Sequence, residues 1–267
     1  MTKGKGTRTV VFLDLDGTLW EAGVVPDSAR AAIRAAQERG HKFLTNTGRA
    51  RSEVPDLSYL GLDGYCFAAG AEVLLDGKVV VDERIDVSDV RAIMRAFDSH
   101  GLNYNLEGGD ASWMMVNDEA ALDKIRTMFS DTPDTIMFMP AASEMTEDDF
   151  GRIHKLFYHG GPADYAQLVA EMPAGVTLTD LGFDFAEATR SDVSKATAME
   201  AVRAYLGADW RTMAIGDSDN DLPMLRAADV SVCMGNGNEN AKAAATWVTT
   251  GIHEDGLANA LAHFGLI

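Results

Sequence analysis

The chain contains little cysteine: Cys66 and Cys233 are its only two in 267 residues. Small secreted domains that depend on disulfides carry several cysteines in a much shorter chain. Two cysteines at this length therefore exclude a disulfide framework. We expect both thiols to be free and buried, because an unpaired cysteine behaves as a small apolar side chain.

Long hydrophobic runs are also missing. No stretch approaches the roughly 20 apolar residues that a membrane-spanning helix needs. Residues 1–8 are polar, and the short apolar run behind them leads into Asp14 and Asp16, which is not the pattern of a signal peptide. These features predict a cytoplasmic location and no membrane partner.

Basic residues are scarce relative to acidic ones, with 23 Lys and Arg against 41 Asp and Glu and a net charge of -18. An acidic surface repels polyanions, which argues against nucleic acid and anionic membranes as partners. A phosphate ligand meets the same repulsion. Any phosphate site in this chain therefore needs local positive charge from a metal, a lysine or backbone N–H groups.

Helix and strand patterns divide the chain into two kinds of segment. Over residues 9–82, and again after Ser191, predicted strands and helices alternate, which is typical of an α/β domain with a parallel sheet. The stretch between has predicted helices at 87–100, 119–129 and 162–172, and predicted strands at 102–106, 112–116, 136–139, 154–158, 176–179 and 183–186. We predict a core of residues 1–83 and 188–267, interrupted by an α+β domain of residues 84–187.

Two aspartates one residue apart follow the first apolar run. Residues 9–13 are β-branched or apolar and predict a buried strand, with Asp14 and Asp16 at its carboxyl end and Gly17 allowing a tight turn. Open α/β sheets have their ligand crevice at this end. Two carboxylates about 4 Å apart repel by roughly 4 kcal/mol at an effective dielectric near 20. The pair therefore indicates a bound cation or acid–base chemistry.

Three further polar groups stand at predicted strand ends or helix starts: Thr45-Asn46-Thr47-Gly48-Arg49, Lys195, and the run Gly216 to Asp221. Taken alone, a Thr-Gly pair is most often a turn, and a lysine near a helix start is most often solvated. The last group is different, because three carboxylates and an asparagine within five residues exceed what a turn requires. This run predicts a metal site.

Together, and in this order, the four motifs resemble those of the haloacid dehalogenase-like phosphatases, in particular the large-cap Cof-type subgroup. The resemblance covers nearly the whole chain and implies a Rossmann-like α/β core with an inserted α+β cap. Only one helix and one strand fit between Asp14 and Thr47, whereas the stretch from Thr47 to Lys195 accommodates a domain. The cap is therefore expected between the second and third motifs, which disfavours relatives with a helical cap after the first motif.

The resemblance implies a role for each motif residue. Asp14 is expected to be the nucleophile that forms an aspartyl-phosphate, and Asp16 the general acid and then the general base. Mg²⁺ is the implied cofactor, which hard oxygen ligands favour. Its expected ligands are Asp14, the backbone carbonyl of Asp16, Asp217 and Asp221, the last nearby or through water. The groups expected to hold phosphoryl oxygens are Thr47, Lys195, Asn220 and the backbone N–H groups of Leu15 and Gly48.

The implied activity is Mg²⁺-dependent hydrolysis of a small phosphomonoester, such as a sugar phosphate or a related metabolite. Three alternatives remain: a dedicated phosphatase for mannosylglycerate or sucrose phosphates, a phosphomutase, and a phosphometabolite sensor with slow turnover. The intact Asp16 argues against the sensor, because a pure binder needs no proton donor. Glu187 lies near the predicted cap exit, where it is open to either a cleft-facing or a hinge role. The sequence does not reveal the oligomeric state.

Overall fold

The structure is a computed structural model that describes residues 8–120, 123, 139–159, 164–182 and 184–267. The predicted helix at 119–129 and the predicted strand at 136–139 lie largely outside the described residues. Within these ranges, no helix combines the length and the apolar character that crossing a bilayer requires.

The chain forms two compact units. The first comprises Met1–Gly48, Asp56–Asp82 and Ser194–Ile267, and the second comprises Arg49–Pro55 and Glu83–Val193. The second unit thus includes a short segment after Gly48, in addition to a stretch close to the predicted cap. The predicted domain limits of 84–187 stay a prediction.

Regular elements of both units are numbered in chain order. The strands are β1 (Thr9–Leu13), β2 (Lys42–Asn46), β3 (Gly64–Phe67), β4 (Glu72–Leu75), β5 (Lys78–Asp82), β6 (Asn103–Gly108), β7 (Ser112–Met115), β8 (Ile153–His159), β9 (Val176–Gly182), β10 (Phe185–Arg190), β11 (Arg211–Gly216), β12 (Val230–Cys233) and β13 (Trp247–Val248). The α-helices in the described ranges are α1 (Asp27–Glu38), α2 (Val87–Ser99), α3 (Tyr165–Glu171), α4 (Lys195–Leu206), α5 (Leu222–Ala227), α6 (Glu239–Ala244) and α7 (Gly256–His263).

A single sheet in the order β13-β12-β11-β1-β2-β3-β4-β5 forms the centre of the first unit. Its strands from β13 to β3 pair in parallel, and β4 and β5 continue it as an antiparallel hairpin. Asp76 and Gly77 both have positive φ in the hairpin turn, as the Asp-Gly pair predicts. Because the chain runs from β1 to β2 on one side and β11 lies on the other, the carboxyl ends of these three strands meet at a topological switch point.

The burial of helix α1 and strand β1 follows the hydrophobic pattern of their sequences. Its buried residues, Ala29, Ala32, Ile33 and Ala36, lie on one helical face, and its other face is polar. Strand β1 is buried at every position, as a central strand of a parallel sheet should be. The predicted α/β class with a parallel-sheet core is confirmed.

The second unit is a five-stranded sheet in the order β7-β6-β8-β10-β9, and its neighbouring strands pair antiparallel. Helices α2 and α3 contribute Ile93, Phe97 and Leu168 to an apolar cluster with one face of this sheet. Strand β6 alternates as expected for its period of two, with Tyr104 and Leu106 in that cluster. The opposite face of β6 carries polar and charged side chains that are nevertheless buried, including Glu107.

Candidate active site

The predicted motifs occupy the carboxyl ends of β1, β2 and β11. Asp14 follows β1, and its backbone N–H donates to the carbonyl of Ile215 at 2.9 Å, which ties the end of β1 to the end of β11. Thr47 follows β2, and its N–H donates to the carbonyl of Cys66 at 3.0 Å. The parallel pairing of these strands therefore brings residues distant in the sequence to one edge of the sheet.

A buried lysine joins two of the predicted aspartates. Lys195 Nζ lies 2.6 Å from Asp14 Oδ1 and 2.6 Å from Asp221 Oδ1, and 3.3 Å from Asn220 Oδ1. Its side chain is 1% exposed. The backbone of Lys195 is fixed at the start of α4, because its carbonyl accepts a 2.9 Å hydrogen bond from Asn46 Nδ2 at the end of β2.

The loop after β11 is folded around Asp221. Asp221 Oδ2 accepts hydrogen bonds from the N–H groups of Asp217 at 2.8 Å and Ser218 at 3.0 Å. A Cβ on Gly216 would lie 2.5 Å from the Asp221 carboxyl carbon, so only glycine fits there without displacement. The carboxamide oxygen of Asn220 is occupied by Lys195 and by Ser218 Oγ, which leaves its amide nitrogen as the group to donate.

The turn after β1 directs Asp16 and Thr18. Gly17 has a φ of +77°, and a Cβ there would lie 2.8 Å from Asp217 Oδ2, so the backbone approaches Asp217 closely. Thr18 Oγ1 donates to Asp217 Oδ1 at 2.7 Å. The exposed Asp16 accepts a 2.9 Å hydrogen bond from Trp20 Nε1 on its Oδ1.

Negative charge exceeds positive charge in this cluster. Asp14, Asp217 and Asp221 each offer an oxygen within 4.8 Å of the others. Among the described residues, Lys195 is the cation that contacts Asp14 and Asp221. Burial and the neighbouring Asp221 raise the pKa of Asp14 well above its usual range, against the opposing effect of Lys195. Burial, together with Asp221, raises the pKa of Asp217 to about 6, although the Thr18 hydrogen bond opposes the shift.

The pKa of Lys195 moves in the direction that keeps it charged. Burial alone lowers a lysine pKa, but the carboxylates of Asp14 and Asp221 outweigh it and raise the pKa above its usual value. A fixed ammonium therefore faces Asp14. Burial is the largest cause of the raised pKa values of Asp14 and Asp217, and the neighbouring carboxylate of Asp221 adds to it. A hard divalent cation fits such a cluster of oxygen ligands.

The structure brings most of the predicted site residues together. Asp14, Lys195, Asn220, Asp217 and Asp221 are linked directly or through one another by the contacts above. Leu15 is buried between the two aspartates of the first motif, and Thr47 is buried at the end of β2 with Gly48 half-buried beside it. Glu187 lies in the second unit, where it contacts Lys155. The roles assigned to these residues stay predictions.

The sequence assigned no role to four side chains that hold the site in shape: Thr18 and Asn46, which lie within the first two motifs, and Trp20 and Asn236. Asn236 Nδ2 donates to the carbonyl of Gly17 at 2.8 Å, which fixes the turn that carries Asp16. Nothing in the sequence pairs position 236 with position 17. Trp20 lies four residues after Asp16, and this spacing does not indicate a contact unless the conformation of the turn between them is known.

Comparisons with known proteins agree with this arrangement. A family model described as haloacid dehalogenase-like hydrolase matches residues 11–261. Phosphatase YwpJ of Bacillus subtilis is 27% identical over 95% of this chain and 99% of its own length. The 5-amino-6-(5-phospho-D-ribitylamino)uracil phosphatase YcsE of the same organism is 23% identical over 96% of each chain.

Solved structures resemble the fold over nearly the whole chain. The phosphatase BT1666 from Bacteroides thetaiotaomicron matches with a TM-score of 0.85 and 27% identity, over 100% of this chain and 98% of its own. The subclass IIB sugar phosphatase BT4131 matches with a TM-score of 0.83 and 25% identity, over 97% of this chain and 100% of its own. The likeness therefore extends over both units, each of which falls within the matched length.

Proposed function

Since the chain belongs to the haloacid dehalogenase-like hydrolases and is a phosphatase, we propose that it hydrolyses a small phosphomonoester, a sugar phosphate or related metabolite, through an aspartyl-phosphate on Asp14. The observation that carries this proposal is the contact of 2.6 Å between Lys195 Nζ and Asp14 Oδ1 in a buried cluster with Asp217 and Asp221. The Lys195 ammonium favours the ionised form of Asp14 and opposes the effects of burial and Asp221 on its pKa. Only the ionised form is a nucleophile.

In the proposed reaction, Asp14 forms and releases the bond to phosphorus, and Asp16 donates and accepts the protons. The Asp14 oxygen that does not contact Lys195 attacks phosphorus, and the bond from phosphorus to the leaving alkoxide breaks as Asp16 donates a proton to that oxygen. Water then attacks the phosphorus of the aspartyl-phosphate and gives a proton to Asp16. Inorganic phosphate leaves, and the carboxylate of Asp14 is restored.

The developing charge on the phosphoryl oxygens requires donors that are already in place. Lys195 supplies a fixed positive charge, and Asn220 has its amide nitrogen left to donate because its oxygen is already engaged. Thr47 and the N–H groups of Leu15 and Gly48 complete the proposed set. Fixed donors cost little reorganisation during the reaction, and their burial strengthens them.

Mg²⁺ is the cation that the donor set favours, because its ligands are carboxylate and carbonyl oxygens. Asp14, Asp217 and the backbone carbonyl of Asp16 would hold it. Asp221 already accepts hydrogen bonds from Lys195 and from two loop N–H groups, so its contact would run through water. Bound there, the cation supplies charge that offsets the repulsion between the carboxylates and the substrate phosphate.

Replacing the nucleophile tests the mechanism. Asp14→Asn should lower turnover of a generic aryl phosphate by at least about 10³-fold, because an amide is too weak a nucleophile to form the acyl phosphate. Asp219→Asn is the matched control, since this exposed aspartate of the same motif accepts a hydrogen bond from Asn240 and has no assigned step. Steady-state rates at saturating Mg²⁺ compare the two. Wild-type turnover in Asp14→Asn rejects the mechanism.

A panel of phosphorylated metabolites, with and without Mg²⁺, tests the substrate class. The names of two relatives support a small phosphorylated compound: BT4131 is a sugar phosphatase and YcsE acts on a phosphoribityl compound. Release of inorganic phosphate that requires Mg²⁺ supports the proposal. An isomeric phosphate ester as the product would instead identify a phosphomutase.

A further inference from the structure

The loop that follows β1 closes on itself through its backbone. The N–H groups of Leu19 and Trp20 both donate to the carbonyl of Leu15 at 3.0 Å, and the N–H of Gly17 donates to the carbonyl of Trp20 at 2.9 Å. Trp20 is therefore bonded to the first motif through both its N–H and its carbonyl group. Asp16 lies between Leu15 and Gly17, so the backbone fixes Trp20 relative to Asp16.

The side chain of Trp20 returns to the carboxyl group of Asp16. Its Nε1 donates to Asp16 Oδ1 at 2.9 Å. The tryptophan is only 7% exposed, whereas Asp16 is exposed. An exposed aspartate side chain rotates among several conformations at little cost. A hydrogen bond from a buried ring therefore favours one orientation of this carboxyl group.

The position of the indole ring does not depend on that hydrogen bond alone. The hairpin Glu21–Val24 follows Trp20 directly, and its end residues exchange backbone hydrogen bonds of 3.1 and 3.0 Å. Ala22 and Gly23, between them, have the positive φ values of a tight hairpin turn. On the other side of the loop, Asn236 bonds to the carbonyl of Gly17. The ring is thus placed by a turn that is fastened at both of its ends.

The indole N–H group distinguishes the two oxygens of the Asp16 carboxyl group. An indole N–H donates and does not accept, so Oδ1 must be the acceptor. In a neutral carboxyl group the better acceptor is the carbonyl oxygen, and the hydroxyl is then the other oxygen. The proton of neutral Asp16 is therefore directed to Oδ2. After the proton has left, the same N–H stabilises the carboxylate, because hydrogen bonds to ionised acceptors are stronger.

We propose that Trp20 is a positioning residue for Asp16: its N–H keeps Oδ1 as the acceptor and assigns the proton to Oδ2. As the bond from phosphorus to the leaving oxygen breaks, the proton on Oδ2 moves to that oxygen. When water then bonds to phosphorus, one of its protons moves to Oδ2. These two transfers rest on the proposed function, in which Asp16 is the general acid and base, whereas the hydrogen bond itself does not.

Proton–nitrogen correlation NMR of the indole groups tests the hydrogen bond without any assay of activity. The chain has four tryptophans, and Trp20→Phe identifies the cross-peak of Trp20 as the one that is lost. With Mg²⁺ present, Asp16→Ala should shift this cross-peak upfield, because its carboxylate acceptor is gone. Asp219→Ala is the matched control and should leave it in place, since that exposed aspartate bonds to Asn240. An unmoved cross-peak in Asp16→Ala overturns the proposal.

Two aryl phosphates of similar size test the positioning role. The para-nitrophenolate group leaves readily without a proton, whereas para-methoxyphenolate is a poor leaving group that needs one. Trp20→Phe should lower kcat/KM about tenfold for para-methoxyphenyl phosphate and less than about twofold for para-nitrophenyl phosphate. The ratio kcat/KM covers the steps up to the aspartyl-phosphate, so the later attack of water does not affect it. Equal losses for both esters indicate a packing role and contradict the proposal.

Trp210→Phe is the matched control for the kinetic test. It makes the same substitution at another buried tryptophan of the first unit, which lies in the apolar cluster and under the guanidinium of Arg8. Its preference between the two esters should match that of the wild type.

Circular dichroism shows whether Trp20→Phe is folded. If it is not, Trp20→Met takes its place, because methionine also lacks the N–H donor, and the same results are expected. A wild type that hydrolyses neither ester rejects the proposed function and the positioning role with it. The NMR shift still decides whether Trp20 donates to Asp16, so the two failures are distinguishable.

Discussion

Lys195 is the residue on which the site depends most. A buried ammonium is costly to desolvate, and here Asp14 and Asp221 offset that cost at 2.6 Å each. Removing the lysine would leave two buried carboxylates facing each other. The same residue therefore serves stability and the proposed catalysis.

Lys195→Met separates these two contributions, since methionine fills a similar volume without charge. Without Mg²⁺, we expect the free energy of unfolding to fall by about 3–5 kcal/mol, because breaking a buried ion pair leaves uncompensated charge. Added Mg²⁺ should restore part of this stability but not the turnover. Urea denaturation with and without Mg²⁺ measures the effect.

The control for Lys195→Met is Lys242→Met, whose half-buried lysine pairs with the exposed Glu239 at 3.3 Å. A surface pair of this kind contributes at most about 1 kcal/mol. Equal unfolding free energies for Lys195→Met and the wild type would show that the buried contacts contribute nothing to folding.

At the scale of elements, the order and parallel pairing of the strands bring the site residues to one edge of the sheet. The alternation of strands and helices predicts a parallel sheet, and a parallel sheet aligns the ends of its strands, so Asp14, Thr47 and Gly216 could be assigned to one edge from the sequence. The part that Asp221 plays in holding its own loop together could not be predicted from the sequence. Its hydrogen bonds to Asp217 and Ser218 depend on the exact turn of the loop, which no periodicity encodes.

Gly216→Ala tests the packing between β11 and its following loop. The new methyl group would lie 2.5 Å from the Asp221 carboxyl carbon, so Asp221 must move and Lys195 must lose its position. We expect a stability loss of about 1–3 kcal/mol, as for other overpacked sites, with a larger proportional loss of turnover. Thermal unfolding and steady-state rates measure both.

Gly175→Ala is the paired control for that substitution, because no atom of the residues that the structure describes lies within 4 Å of a Cβ at position 175. Its stability and turnover should match the wild type. If Gly216→Ala behaves in the same way, the loop is not held by contact with Asp221.

The conformation and contacts of the segment Arg49–Pro55 could not be predicted from the sequence. Its single helical turn, the 3₁₀ helix Arg51–Glu53, is too short to show a sequence repeat. Its association with β6 and β7 joins residues about 60 positions apart. The buried Glu53 likewise has no signature in the sequence, since an isolated glutamate is usually on the surface. Contacts of this kind become visible only in three dimensions.

At the scale of the whole molecule, the dominant feature is the net charge of -18. Like charges on a compact surface repel one another and destabilise folding, and salt screens this repulsion. From about 10 mM to about 150 mM NaCl the Debye length falls from about 30 Å to about 8 Å. We expect the unfolding temperature to rise by a few degrees over this range.

Differential scanning fluorimetry measures this shift, and sucrose at matched osmolarity is the control for general effects of solutes. The buried cluster around Lys195 is screened much less than the surface, so the effect reports on exposed charge. An unfolding temperature that falls with salt would mean that attractive surface pairs outweigh the excess of acidic residues.

The chain passes from one unit to the other four times, because the second unit contains both Arg49–Pro55 and Glu83–Val193. Anyone who builds a chimera by grafting this unit onto a related scaffold must transplant both pieces together. A graft of the longer piece alone would leave the β6–β7 hairpin without the contacts of Arg51 and Ser52. Libraries that shuffle such units between homologous genes should therefore place their crossovers before residue 49 and after residue 193.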